Sequence, residues 1–468
     1  MEAVTRMHQG RCSFPVDEGG RILDRLAGLE QIIRPQHIQQ ALDVTGRVNS
    51  RKCTLTHDVI LWVVLAMGLF TELPIRQVFK HTRRLRKGEE SPHRSSLCVA
   101  RQRLGVAPVR HLFTQTVRPL AQPTTPGAFY GGYRLMAIDS TVFDVPDTPT
   151  NDAPFGRPSA GPRGDGAFPQ VRKLSLVELG THVEVAMALK HVHCGERTMV
   201  AALLRHLSAE MLLLLDRGFF SYELWRHLDS TGVKLLARVV KNLILRPIRE
   251  LSDGSYVAKI YPSASDREKD TAGILVRVIR YTLDDPQRAG HGEVHILITN
   301  LFDETRHPAE AMIILYHERW EHELVYDEQK THQDPRRPTK PAQLRSETPA
   351  GVIQEIYALS LGHFVIRSLM FRAAETVQLD PDRLSFTGCY QILKCRLPEC
   401  DSSTPQSFES WYQAMLWEMQ DERTDERRNR INPRVIKRKM SKWKEKRPEH
   451  RRLPPLKKAF AASVVMLR

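Results

Sequence analysis

Leu135-Met136-Ala137-Ile138-Asp139 and Met211-Leu212-Leu213-Leu214-Leu215-Asp216 are the two stretches whose reading decides the fold. Each is a short apolar run that stops at an acid. Runs of this length are too short for buried helices and fit buried strands. Between and beyond them lie two strand-like stretches in 171–189, broken at Gly180-Thr181. A helical stretch over 197–209, a helix at 221–230 and a strand at 233–240 follow. That alternation reads as an α/β layer. Asp139 and Asp216 then sit just past strand ends, where open α/β sheets place their ligand sites. Either acid alone fits a turn or helix-cap residue equally well.

Working outward, residues 20–120 read as helical. Thr56-His57-Asp58 fits a cap for a helix through the apolar stretch 59–70, and further helical patterns cover 75–86, 95–104 and 107–120. Ser95-Ser96 offers a cap and Gly105 a stop. Pro and Gly cluster from 119 to 132 as a linker, and 146–170 reads as largely loop. Residues 241–300 carry short β-like runs between turns and read as an insertion. The α/β texture resumes with a strand at 295–299, a long helix from about 308 to 332 and an apolar helix at 350–374. The expected organisation is a helical N-terminal domain (1–125), a catalytic core in two parts (126–240 and 301–375), a β-rich insertion (241–300) and a basic C-terminal region (376–468).

The chain has 468 residues and is 41% apolar, enough for a sizeable core. Its formal net charge of +15 points to a polyanionic partner, most often nucleic acid. The charge is local: residues 427–458 hold fifteen Lys or Arg against Glu445 and Glu449, a net of +13, which leaves 15 − 13 = +2 for the rest. Seven scattered cysteines without a C-x-x-C argue against a disulfide framework or zinc ribbon. The longest apolar run, 59–70, is too short to span a bilayer, and the start has no apolar leader core. A soluble intracellular protein that does not bind membrane is the expectation.

The long helix carries Tyr316, Arg319, Glu323 and Lys330, spaced by three, four and seven. At about 100° per residue they fall within roughly 60° of one another. One face thus places a carboxylate among three groups able to bind phosphate, although Arg319 and Glu323 also fit a plain surface i,i+4 pair. Joined to Asp139 and Asp216, Glu323 completes three acids of the kind that hold two metal ions about 3.5–4 Å apart for phosphodiester chemistry. Mg²⁺ suits an all-oxygen set.

These residues resemble the insertion sequence 4 family of DDE transposases. The likeness rests on Tyr-x2-Arg-x3-Glu-x6-Lys at 316–330, on the segments around Asp139 and Asp216, on a helical N-terminal region at 12–118 and on a basic box from Asn432 to Trp443. It covers nearly the whole chain. One departure is Asp139-Ser140-Thr141 where the family usually has Asp-Gly-Thr, which matters if that backbone needs a positive φ. The resemblance implies a ribonuclease-H-like core interrupted by a β-rich insertion. It implies Mg²⁺ (or Mn²⁺) held by Asp139, Asp216 and Glu323, and cut-and-paste movement of a mobile element through its terminal inverted repeats. Cleavage frees a 3′ hydroxyl that attacks target DNA, with or without a hairpin on the way. Tyr316, Arg319 and Lys330 would grip end phosphates, Arg434, Lys437, Arg438 and Lys439 would contact DNA, and a homodimer would pair the ends.

Other features carry less. His317 and His322 in HERWEH are five apart, about 140° round a helix, and cannot share a zinc ion as HExxH does. His191, His193 and Cys194 read as packing. Trp320, which points about 100° away from Arg319, and the insertion tyrosines 256, 261 and 281 are open candidates for holding a flipped base. A ribonuclease-H-like nuclease without strand transfer, and a DNA-binding protein that no longer cuts, are the alternatives.

Overall fold

The computed structural model describes residues 16–17, 20–21, 24–49, 54–83, 90–159, 164–286, 291–335, 344–424 and 459–467. The basic run at 427–458, with Arg434, Lys437, Arg438 and Lys439, lies outside the described residues.

Five helices come first: α1 (Pro35–Val44), α2 (His57–Leu69), α3 (Ile75–Thr82), α4 (Arg94–Leu104) and α5 (Ala107–Thr116). Gly105 ends α4 at φ 72°, a conformation that favours glycine. The cap of α4 is His93, whose ring accepts the Ser95 amide, rather than the serines themselves. From Val59 on, every residue of α2 is buried. A helix apolar all round must be covered on all sides.

One sheet of eleven strands forms the centre. Its main strands are β1 (Tyr133–Asp144), β2 (Gln170–Glu178), β3 (Val183–His191), β4 (Met211–Leu215), β5 (Lys234–Arg238), β6 (Arg249–Glu250), β7 (Tyr256–Ile260), β8 (Ile274–Leu283) and β9 (His295–Thr299). They lie in the order β3-β2-β1-β4-β5-β9-β8-β7-β6. β4 runs parallel to β1 and to β5; the other pairings along this order are antiparallel. The insertion extends this same sheet, since β9 pairs with β5. Short strands Phe129–Tyr130 and Val464–Met466 add to β1 and β8.

Alternation along β1 separates two apolar layers. Leu135 and Ala137 face a layer with Met312, Ile313 and Tyr316, whereas Met136 and Ile138 face one with Met199, Val200 and Leu203. Two expectations change. The 146–170 stretch contains a helix, α6 (Pro149–Phe155), capped by Thr148 and started by Pro149. The 197–209 stretch is broken into Glu196–Met199 and two 3₁₀ turns. Helix α7 (Tyr222–Asp229) matches its expected place.

The run from 309 to 333 is helical throughout but changes pitch three times. It comprises α8 (Ala309–His317), a 3₁₀ turn Glu318–Trp320, α9 (Glu321–Asp327) and a π-helical turn Glu328–Gln333. Then α10 (Pro349–Thr376) crosses the molecule, capped by Thr348 with Pro349 at its first position. Residues 376–424 form α11 (Phe386–Arg396) and α12 (Pro405–Asp421). These two helices, α10 and the N-terminal helices share one apolar cluster. Among the described residues no helix is long and apolar enough to cross a membrane.

Candidate active site

Asp139 is not past a strand end. It lies inside β1, which continues to Asp144. The antiparallel ladder to β2 persists as far as Asp144↔Gln170, so β1 keeps a partner on one side after β4 has stopped. β4 does stop at Leu215, and Asp216 follows it, its carboxylate accepting the Arg217 amide at 2.7 Å. The parallel register pairs Arg134 with Met211 and so on to Ile138 with Leu215. The next step of that register sets Asp139 beside Asp216.

Arg319 comes from the 3₁₀ turn and is 9% exposed. Its Nη1 lies 3.6 Å from Asp139 Oδ2 and its Nη2 donates to Glu323 Oε1 at 3.1 Å. One guanidinium therefore bridges two of the three acids. The three carboxylates are not among the groups whose ligand atoms all lie within 4.8 Å of one another. They surround the guanidinium rather than touch.

Burial pushes the Asp139 carboxyl up to about 6, with Glu323 and Asp216 adding to the rise and the Ser140 amide and Arg319 opposing it. A half-buried acid beside two others gains by meeting a divalent cation. The donor set of three carboxylates therefore fits a hard metal. Arg319 Nη1, buried without a hydrogen-bond partner, is aimed at the same space.

The helical run grips β1 and β4 on both sides of this point. Tyr316 is buried and its hydroxyl donates to Leu215 O at 3.2 Å, so burial raises its phenol far above the ordinary range. Tyr316, expected to grip an end phosphate, here spends its hydroxyl on the carbonyl just before Asp216. Tyr326 donates to Asp139 O at 2.7 Å. Lys330 Nζ donates to Val142 O at 2.7 Å and Thr141 Oγ1 at 3.1 Å, and lies 5.2 Å from the Phe143 ring centroid. Sequence reasoning missed Tyr326, although it lies three residues beyond Glu323 on the same helix face.

The other side of the run is buried and polar. Glu321 accepts the Gly180 amide at 2.8 Å, and Gly180 (φ 83°) has no room for a side chain against Ala128. Glu328 bonds Arg367, His182 and His363. Burial alone would raise the Glu328 carboxyl, but Arg367 with the two histidines holds it well below its ordinary value. Gln329 meets Glu184 and Lys173, while Gln333 donates to Gly68 O and Leu359 O. His182, Glu321 and Asp382 have ligand atoms within 4.8 Å of one another and belong to this buried lattice.

The decoys separate. His322 is fully buried with Nε2 3.2 Å from Ser175 O, and burial pushes it down to about 3, so it is neutral. His317 packs its ring at a tilt against Phe460. Trp320 is 43% exposed, so it is not a core residue. Ser140 sits in extended strand and is not among the residues with positive φ, so the missing glycine costs nothing there.

Comparison with known proteins gives consistent matches. A family profile described as the insertion element 4 transposase N-terminal region matches residues 23–114, and a transposase DDE domain profile matches 130–347. The chain is similar to the transposase InsG for insertion sequence element IS4 of Escherichia coli K12, with 29% identity over 444 residues, covering 93% of this chain and 98% of that protein. It is also similar to the putative transposase InsZ of the same strain, 27% identical over 198 residues, 42% of this chain and 64% of the relative. A solved piggyBac transposase synaptic complex with hairpin DNA matches with a TM-score of 0.42 at 11% identity, covering 84% of this chain and 85% of that one.

Proposed function

The chain belongs to the insertion element 4 family of DDE transposases and is a DNA transposase, and from that premise we propose that Asp139, Asp216 and Glu323 are its metal-holding catalytic acids. The observation that carries this is Arg319, buried between Asp139 and Glu323 while the register sets Asp216 beside Asp139. The strand order β3-β2-β1-β4-β5, antiparallel through the first three and parallel onward, supports a ribonuclease-H-like core.

The family implies divalent metal, and the all-carboxylate set favours Mg²⁺ over softer ions. When bound, such ions supply an activated oxygen nucleophile and stabilise the leaving oxygen. The protein's own residues do the rest. Tyr326 and Tyr316 fix the backbone carbonyls at Asp139 and Leu215, so the two aspartates keep their spacing. Arg319 supplies positive charge where a phosphate meets the acids, and Lys330 supplies a second cation farther along β1. The reaction is cleavage at the ends of a mobile element followed by attack of the freed 3′ hydroxyl on target DNA. The described N-terminal helices and the basic run at 427–458 would bind end DNA, and two copies would hold two ends. Nicking of terminal-repeat DNA in Mg²⁺ tests this: the parent cuts, and Asp139→Asn binds but does not. Cutting by Asp139→Asn would overturn it.

A further inference from the structure

β1 outruns β4, and the space this leaves is used. Beyond Leu215 no strand of β4 covers that side of β1, and Arg217–Phe219 forms a 3₁₀ turn instead. Strand alternation sends Asp139 toward the helical run and Ser140 to the opposite layer. There the Ser140 hydroxyl donates to Glu196, which also pairs with Arg172 at 2.9 Å. A cleft of about 630 Å³ opens at this point, lined by Arg172, His193, Gly195, Glu196, Arg197 and Gly218, among others. Gly218 is two residues past Asp216, and a Cβ there would lie 4.0 Å from Glu196 Oε2. The cleft and the three acids are therefore the two sides of one sheet end.

Its chemistry suits a sugar–phosphate backbone. Arg172 is pre-set: its Nε and Nη2 donate to Val192 O at 3.2 and 3.0 Å, and Glu196 offsets its charge. Among the described residues Arg197 bonds Phe220 O at 3.4 Å and makes no ion pair, which leaves it the surplus cation of the cleft. Gly195 and Gly218 let a backbone come close. The volume is that of a small-ligand pocket, enough for a nucleotide. Lys330 stands on the other side of Asp139, so a strand with its scissile phosphate at the acids has a cation on each flank.

We propose that this cleft is a second DNA subsite, which binds the phosphodiester next to the scissile one through Arg197 and Arg172. The subsite rests on the transposase reading. Its strand comes either from donor DNA flanking the element or from target DNA, which share this chemistry.

The test uses the full-length protein in Mg²⁺ with duplexes carrying the terminal repeat that borders its gene. Three reactions are compared in the parent, in Arg197→Gln and in the double variant Arg172→Gln/Glu196→Gln, which leaves no stranded charge. They are nicking of a flanked end, binding of a pre-cut end without flank, and strand transfer from the pre-cut end into plasmid. Loss of the contact raises KM about tenfold in one reaction with kcat little changed. In Arg197→Gln, which removes a net charge, it also lowers the log–log salt slope by about 0.7. A rise confined to the flanked end assigns the subsite to donor DNA. A rise confined to strand transfer assigns it to target. Unchanged KM in nicking and strand transfer with unchanged end affinity, or an equal loss in all three, overturns the proposal. Parent nicking that fails in Asp139→Asn stands apart from either result and keeps the transposase reading separate.

Discussion

At the scale of single residues, the site is a buried arginine ringed by acids, and each member has a distinct expected signature. Glu323→Gln should lower Mg²⁺-dependent nicking by about 100-fold or more, the cost of losing one catalytic charge partner, with end binding by gel shift nearly intact; normal nicking contradicts the role. Lys330→Ala should weaken end binding by about tenfold while shifting Tm little, because its two bonds to β1 are half-exposed; a large Tm loss with normal binding would make it a structural tie instead. Asp139 sets a pH signature. Its folded value of about 6 lies above its ordinary one, so the stabilisation it gives is complete at low pH and is lost as pH rises through about 6. In EDTA, the parent's Tm relative to Asp139→Asn should therefore fall between about pH 4 and about pH 6; a difference flat across that window contradicts it. The proposed acids and Arg319 were picked out from sequence by the family resemblance of their segments, since apolar runs and helical spacing alone fit strand-end turns and a surface ion pair equally well. Tyr326 and Glu196 were not. Their partners are a strand carbonyl and a hydroxyl 56 residues away, which no local pattern reports.

At the scale of elements, the helical run is the part that the sequence rendered least well. Spacing placed Tyr316, Arg319, Glu323 and Lys330 on one side by assuming a uniform pitch. The structure reaches that side by overwinding at Glu318–Trp320 and unwinding at Glu328–Gln333. The cause is tertiary: Glu328, Gln329 and Gln333 are each drawn to buried partners on α10, β2, β3 and α2. Such partners are set by the fold and leave no trace in local periodicity. Glu328→Ala leaves the buried Arg367 without its carboxylate partner and should cost about 3–5 kcal/mol of stability, read by chemical denaturation. A cost near zero would mean the lattice is not what holds the run. Likewise, alternating β texture revealed the insertion strands but not that they lengthen the central sheet, because pairing through β9 is a long-range choice.

At the scale of the whole molecule, the helical part and the sheet are locked through one crossing. Gly68 of α2 lies against α10, where an added Cβ would come within 2.0 Å of Ala358 O, and Gly362 meets the Gly68 carbonyl in turn. Gln333, at the end of the active-site run, donates to that same carbonyl. Gly68→Ala should destabilise by about 3 kcal/mol and expose the α2–α10 seam to limited proteolysis; an unchanged melt would mean the crossing relaxes freely. The sequence showed the helices as separate patterns and could not show that α11 and α12 close the same apolar cluster as α2. That shared cluster also dictates a timetable. During synthesis α2, apolar from Val59 on, is finished 280 residues before α10 begins, at 69 against 349. At about 5–20 residues per second this is roughly 15–55 s on the ribosome. Throughout that interval the nascent chain carries α2 without its α10 cover, so a prematurely terminated product would be prey to proteases and aggregation.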